Sequence, residues 1–96
     1  MNISKDKKYE YTSVILKRYF PNTYDEYSVI YYPLRYKYQW LNKKTGMPIE
    51  DENLRKQLDN SLNDLMEFLH DLFFYVESGY ITKEDIIKLM SEDSGQ

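Results

Sequence analysis

Apolar and polar positions alternate most clearly in the middle of the chain. Residues 27–32 are rich in aromatic and β-branched types, and residues 34–41 alternate between apolar and polar. Pro33 stands between these segments and cannot donate a ladder hydrogen bond, so it marks a bulge, an edge or a tight corner. The pattern predicts two strands, Tyr27–Tyr32 and Leu34–Leu41.

The second predicted strand has an aromatic side and a polar side, because successive side chains of a strand point to opposite faces. The aromatic side consists of Leu34, Tyr36, Tyr38 and Trp40, and the polar side consists of Arg35, Lys37, Gln39 and Leu41. We expect the rings to pack in a core against a helix and the cations to face solvent. Two alternatives stay open: a protein-binding aromatic face, and a surface that stacks the bases of single-stranded nucleic acid.

The segments that flank these strands carry turn signals. Pro21-Asn22-Thr23 predicts a turn before the first strand, and Asn42–Gly46 predicts a turn after the second. A very short third strand then fits at Met47–Ile49.

Residues 5–19 fit a helix better than a strand. Ser4 is a suitable N-cap, and Pro21 stops a helix that precedes it. The apolar residues at helical spacing are Tyr11, Val14, Ile15 and Tyr19. The same segment is rich in β-branched and aromatic residues, so a strand stays open as the alternative.

The longest regular pattern is a leucine stripe with alternating steps of three and four residues, the spacing of one helix face. Its members are Leu54, Leu58, Leu62, Leu65, Leu69, Leu72 and Val76. Asp51 is the predicted N-cap, and Gly79 can take the left-handed position after the helix. A helix of about 26 residues is roughly 39 Å long, so in a chain this small it must protrude or pair with something.

A last short helix is predicted by Thr82-Lys83-Glu84-Asp85, a variant of the capping box. Its apolar positions are Ile86, Ile87, Leu89 and Met90. We expect the chain ends, about residues 1–4 and 91–96, to fray. The elements together predict one small α+β domain over residues 1–96, ordered α-β-β-(β)-α-α, whose short antiparallel sheet packs on the long amphipathic helix.

Composition limits the classes of protein. With 42% apolar and 17% aromatic residues the chain can form one core, and the absence of cysteine excludes disulfides, thiolate zinc sites and cysteine nucleophiles. No signal peptide or membrane span is visible, so we expect a cytoplasmic protein without a membrane partner. Alanine is absent and Lys, Asn, Tyr and Ile are plentiful, a bias typical of an AT-rich bacterial or phage genome.

The net charge of −3 hides an uneven distribution. Residues 1–50 carry nine basic and five acidic side chains, whereas residues 51–96 carry four basic and eleven acidic ones. Attraction between the halves within the fold accounts for this split, and so does a charged partner that faces one of them.

Two surfaces are candidate binding sites. On the long helix an acidic row opposite the leucine stripe adjoins two aromatic residues, and the candidate partner-binding residues are Asp64, Glu67, Asp71, Phe74 and Tyr75. Around the second strand the candidate nucleic-acid-binding residues are Arg35, Tyr36, Lys37, Tyr38, Lys43 and Lys44. Such an acidic row is more often only a solvated helix face, and the last helix accounts equally for Phe74 by covering it.

Residues for catalysis or metal binding are few. The chain has one histidine, no Gly-rich phosphate loop, and no Ser or Thr placed beside a base. Glu67-Phe68-Leu69-His70 has Glu-x-x-His metal-ligand spacing but stands alone, and the segment 74–85 lacks the carboxylates of the first half of a calcium loop. We therefore expect no enzyme activity, no metal and no cofactor.

These observations favour a non-enzymatic accessory or inhibitor protein of phage or mobile-element type, with an anti-defence (anti-CRISPR-like) role as one form of it. We expect it to bind a host or defence-system protein stoichiometrically, through the acidic and aromatic helix face, in the cytoplasm of a bacterial host cell. One alternative is a small nucleic-acid-binding regulator that uses the basic tyrosine-rich segment. Another is a homodimeric structural subunit of a larger assembly.

Overall fold

The computed structural model describes residues 3–82, 84–86 and 88. The elements are α1 (Lys5–Tyr19), α2 (Pro21–Glu26), β1 (Tyr27–Tyr32), β2 (Lys37–Asn42) and α3 (Glu52–Glu77). Residues 84–86 and 88 are also helical. The two strands form one antiparallel sheet, which confirms the predicted small α+β class.

The chain divides into two compact units, and α3 contributes to both. The first unit contains α1 and the chain from Leu69 onward, and the second contains Phe20–Phe68. That the whole chain is one domain stays a prediction. Residues 1–2 and 91–96, which we expect to fray, and the last-helix positions 87, 89 and 90 lie outside the described residues.

The core of the first unit comes from α1 and the end of α3. Its buried apolar side chains are Ile3, Tyr11, Ile15, Leu16, Leu69, Leu72, Phe73, Val76 and Ile86. Tyr11 and Phe73 stack with their ring centroids 6.4 Å apart. Residues 5–19 therefore form the predicted helix, and the strand alternative is wrong.

The buried face of α1 differs from the predicted one. Leu16 is buried, whereas Val14 is exposed. Successive helix residues are turned by about 100°, so a face that contains both Ile15 and Leu16 is centred between them and leaves Val14 on the other side. Tyr19 is exposed as the last residue of the helix.

The predicted helix caps are all in place. The side chains of Ser4 and Asp51 each accept the backbone N–H of the third residue after them, at 3.2 and 3.1 Å. Thr82 and Asp85 cap each other, because the N–H of each donates to the side chain of the other at 3.1 Å. This reciprocal pair is the predicted capping box, with Asp in place of Glu.

The hairpin of β1 and β2 is the centre of the second unit. Val29 lies opposite Trp40 and Tyr31 lies opposite Tyr38. Trp40 is fully buried, and the ring of Phe20 meets its ring edge-on with centroids 5.4 Å apart.

The second strand begins at Lys37 and not at Leu34. Residues 33–36 form the turn between the strands, and Tyr36 has a φ of 54°. A non-glycine residue in this left-handed region does not continue a strand. The predicted aromatic core face is therefore wrong in its first half, since Leu34 is 98% and Tyr36 82% exposed.

α3 meets the hairpin along the edge of β2. Oδ1 of Asn63 accepts the N–H of Tyr38 at 2.8 Å, and Nδ2 of Asn63 donates to the C=O of Tyr38 at 2.9 Å. Oδ1 of Asp59 accepts the N–H of Trp40 at 3.1 Å. The sheet thus lies against α3, as predicted, and polar side chains of the helix bind the backbone of the strand.

Three further predictions need correction or refinement. Pro21 opens the short helix α2 in place of a turn, because its fixed φ suits the first helical position. A single bridge between Leu41 and Pro48 stands where a third strand is predicted. Leu54 of the leucine stripe is exposed.

Candidate interaction surfaces

α3 ends in a backbone motif that brings a tyrosine back onto the helix. Gly79 has a φ of 86°, and its N–H donates to the C=O of Val76 at 3.1 Å. The N–H of Tyr80 donates to the C=O of Tyr75 at 2.9 Å. These two bonds define a Schellman motif, in which the residue after the glycine contacts the third residue from the helix end. Tyr80 accordingly meets Tyr75.

The rings of Phe74, Tyr75 and Tyr80 form a surface that we name the aromatic end cluster. Phe74 and Tyr75 meet edge-to-face with centroids 5.8 Å apart, and Tyr75 and Tyr80 do the same at 6.1 Å. The three side chains are 62%, 46% and 79% exposed. Because each ring contacts the next, the cluster presents its apolar surface in a defined arrangement.

Sequence reasoning identifies two members of this cluster and misses the third. Phe74 and Tyr75 are recognisable because they lie off the leucine stripe. Tyr80 directly follows Gly79, and a glycine at the end of a helix signals the motif that places the next residue on the helix. The signal for Tyr80 was thus present in the sequence.

The predicted acidic row is exposed on α3. Asp64, Glu67 and Asp71 are spaced by three and four residues, which places them along one side of the helix. Asp71 precedes Phe74 and Tyr75 by three and four residues, so within the first unit it borders the aromatic end cluster. Asp64 and Glu67 belong to the part of α3 in the second unit.

The second candidate surface is the hairpin tip, residues 33–37. The guanidinium carbon of Arg35 lies 5.1 Å from the ring centre of Tyr32, a cation–π geometry. Tyr36 and Lys37 are exposed beside it. Rings and cations therefore share one small region, contrary to the prediction that they point in opposite directions.

Tyr38 contributes less to this surface than predicted. Its ring lies against that of Tyr31 across the strands, with centroids 4.6 Å apart. Tyr38 is half-buried, and this burial, with a smaller effect of the neighbouring Tyr31, raises the pKa of its phenol. Tyr38 therefore packs the hairpin with most of its ring.

The two other predicted cations lie at the opposite end of β2. Nζ of Lys43 donates to the C=O of Tyr24 at 2.9 Å and lies 5.5 Å from the centre of its ring. Lys44 follows it in the next turn. A strand of this length spans about 20 Å, so Lys43 and Lys44 are not brought together with the hairpin tip.

Two kinds of feature are missing from the part of the chain that the structure describes. There, no three His, Asp or Glu side chains lie close enough together to hold a metal ion. None of the helices in that part is both long and apolar enough to cross a membrane.

Comparisons with other proteins assign no family. No protein-family model, no curated protein and no solved structure matches the chain. The function proposed for the chain therefore rests on its own residues.

Proposed function

We propose that this is a non-enzymatic protein that acts by stoichiometric binding, with the aromatic end cluster as its contact surface. We further propose that it is an accessory or inhibitor protein of phage or mobile-element type, whose partner is a host or defence-system protein in the bacterial cytoplasm. The observation that carries the proposal is the exposed edge-to-face chain of Phe74, Tyr75 and Tyr80.

The aromatic end cluster has the properties of an interface hot spot. Aromatic side chains offer a large contact area and lose little conformational entropy when they bind. In this cluster the entropy cost falls further, because the Schellman motif fixes Tyr80 against Tyr75 before any partner arrives. Three neighbouring exposed rings also form a contiguous apolar patch, which marks an interaction site more often than scattered single residues do.

The charge beside the cluster indicates the kind of partner. Asp71 borders the rings, and Asp64 and Glu67 continue the acidic row along α3. Complementary charge across an interface raises the association rate and selects the partner, so the surface fits a basic protein surface. Blocking a basic groove of a nucleic-acid-binding protein is an inhibitory action that fits this charge, and the alanine-free composition supports the phage setting.

The test is capture of a partner from the lysate of a low-GC bacterial host, run with and without nuclease. The tagged wild type should retain one protein at near-stoichiometric yield in both conditions. The double variant Phe74→Ser and Tyr80→Ser should lose it, because both ends of the ring chain are removed. Circular dichroism of the variant checks that the helices remain.

A matched control is Tyr9→Ser, which removes an exposed ring of α1 in the same unit. It should retain the partner as the wild type does. Equal retention by the double variant and the wild type would contradict the assignment of the contact surface to the aromatic end cluster.

A second candidate function, a small nucleic-acid-binding regulator, is favoured by the exposure of Tyr36 beside Arg35 and Lys37. Exposed rings with adjacent cations are the elements that bind single-stranded nucleic acid. The separation of Lys43 and Lys44 from the hairpin tip weighs against it. Retention that disappears with nuclease would select this candidate over the first.

A further inference from the structure

The two outer edges of the hairpin differ in how many of their backbone N–H and C=O groups are hydrogen-bonded. The N–H and C=O of Tyr38 both bind Asn63 of α3, so the backbone of Tyr38 points away from β1. In an antiparallel pair of strands, two directly opposite residues either exchange two backbone hydrogen bonds, or their N–H and C=O groups all point away from the partner strand. Tyr31 lies opposite Tyr38 and Val29 lies opposite Trp40, so the backbone groups of Val29 and Tyr31 point outward from β1.

The outer edge of β2 is covered. Asn63 binds Tyr38, Asp59 binds the N–H of Trp40, and the C=O of Met47 accepts the N–H of Asn42 at 2.8 Å. Side chains of α3 and the turn after β2 therefore occupy the positions where a third strand would bond. This is one of the ways in which proteins protect an edge strand.

The outer edge of β1 is open. The N–H of Tyr27 is bound by the C=O of Thr23, at the end of α2. Within the described residues, no hydrogen bond involves the outward N–H and C=O groups of Val29 and Tyr31. These groups form a short row of unpaired donors and acceptors on a strand that is at most half-buried.

β1 lacks the features that usually protect such an edge. Its sequence, Tyr-Ser-Val-Ile-Tyr-Tyr, has no charged residue and no proline, and it consists mainly of the types with the highest strand propensity. A neutral edge does not select a charged partner. Two copies of β1 can approach each other without electrostatic repulsion.

We propose that a second copy of this chain binds at this edge, with β1 antiparallel to β1 of its partner and Ile30 opposite Ile30. In this register Val29 of each copy pairs with Tyr31 of the other, so every outward group of both residues is bonded. The register centred on Val29 would leave the C=O of Tyr31 without a partner, because the N–H of Tyr27 is already used. The edge is thus self-complementary in one register, as a two-fold symmetric interface requires.

In this register alone, Ile30 of one copy lies opposite Ile30 of the other copy, so substitutions at position 30 test the proposal. Ile30→Lys should weaken the dimer at least about tenfold, because two lysines face each other and the isoleucine contact is lost. Ile30→Glu should do the same. An equimolar mixture of the two variants should form a heterodimer, since the facing charges are then opposite.

The measurement is the mass in solution, by sedimentation velocity, over a concentration series of each variant and of the mixture. The neutral control Ile30→Thr, which keeps a β-branched side chain, should dimerise nearly as the wild type does. A wild type that is monomeric at every concentration would overturn the proposal. So would a dimer that survives Ile30→Lys unchanged, because the copies would then meet elsewhere.

Hydrogen exchange of the backbone amides gives a second readout that does not depend on a variant. The amides of Ser28, Ile30 and Tyr32 point into the hairpin and should be protected at all concentrations. The amides of Val29 and Tyr31 should exchange quickly in dilute protein and become protected as the dimer forms. Fast exchange of both amides in concentrated protein would also overturn the proposal.

This interface is independent of the proposed function. Phe74→Ser with Tyr80→Ser leaves β1 untouched and should not change the dimer mass. Conversely, Ile30→Lys should retain the captured protein partner. Each of the two proposals can therefore be contradicted by an experiment that leaves the other unaffected.

Discussion

At the scale of single residues, Asn63 is the side chain with the most specific task. Its side-chain amide bonds to Tyr38 as the backbone of a neighbouring strand would. Oδ1 accepts the N–H of Tyr38, and Nδ2 donates to the C=O of the same residue. Nδ2 also donates to the C=O of Asp59, one turn earlier in α3, at 2.7 Å. This last bond fixes the amide in the orientation that the strand needs. One asparagine thus attaches the helix to the edge of the sheet.

Replacing Asn63 by alanine should expose what this attachment contributes to stability. The Tyr38 backbone groups would lose their partners at a half-buried position, which costs about 2 kcal/mol of the free energy of unfolding. The control is Asn60→Ala, an exposed asparagine one turn earlier that has the same gain in helix propensity. Urea unfolding measures both variants. Equal free energies of unfolding for the two would mean that the bonds to Tyr38 contribute nothing net.

At the scale of elements, the sequence predicts the helices better than the hairpin. α3 combines a stripe, a cap and a terminal glycine, three local signals that agree, and Asp51 and Gly79 stand where predicted. The start of β2 is mispredicted because Leu34 and Tyr36 continue the apolar alternation, whereas Tyr36 takes a left-handed conformation that no local pattern announces. The difference between the two edges of the hairpin was equally invisible, since the edge of β2 is covered by Asn63, which is distant in sequence.

The first unit contains an ion pair between elements, which gives a prediction about pH. Nζ of Lys8 in α1 lies 3.0 Å from Oε2 of Glu77 in α3. The hydrogen bond from Lys8, assisted by the backbone N–H of Ile3, lowers the pKa of Glu77 below its ordinary value of 4.5. A carboxyl whose pKa is lower in the folded state stabilises the fold fully above that ordinary value. The stabilisation is lost as the pH falls through the lowered pKa.

The variant Glu77→Gln should therefore melt below the wild type at neutral pH, and the difference should shrink as the pH falls below 4.5. Thermal melting at low ionic strength from neutral to acidic pH measures it. The control is Glu10→Gln, which removes a carboxylate from the exposed pair with Lys7 and should have little effect at any pH. A difference that stays constant with pH would contradict the role given to the carboxylate charge.

At the scale of the whole molecule, the uneven charge distribution supports the proposed binding of a basic partner. Among the ion pairs of the described residues, none within 4 Å involves Asp64, Glu67 or Asp71. Within that part of the chain, no cation that close neutralises the three carboxylates. The spacing of these residues was readable from the sequence, because one helix carries them all. Whether a partner binds this acidic row could not be predicted from the sequence, because the same spacing occurs in an interface and in a solvated helix face.

Reversing these three charges to lysine should weaken association with the captured protein and flatten its salt dependence. The matched control reverses Asp25, Glu26 and Glu50, three exposed acids that give the same change in net charge. Affinity for the purified partner is measured across a series of salt concentrations. An equal loss in both variants would indicate an effect of net charge and not of the acidic row.

The burial of Trp40 has an optical consequence. The chain has one tryptophan, so all indole fluorescence comes from this fully buried ring in the second unit. Its Nε1 has no hydrogen-bond acceptor among the described residues, and a ring held away from water emits at short wavelength. Any event that opens the hairpin and lets water reach the ring will shift the emission to the red. The protein thus carries a native reporter for one of its two units.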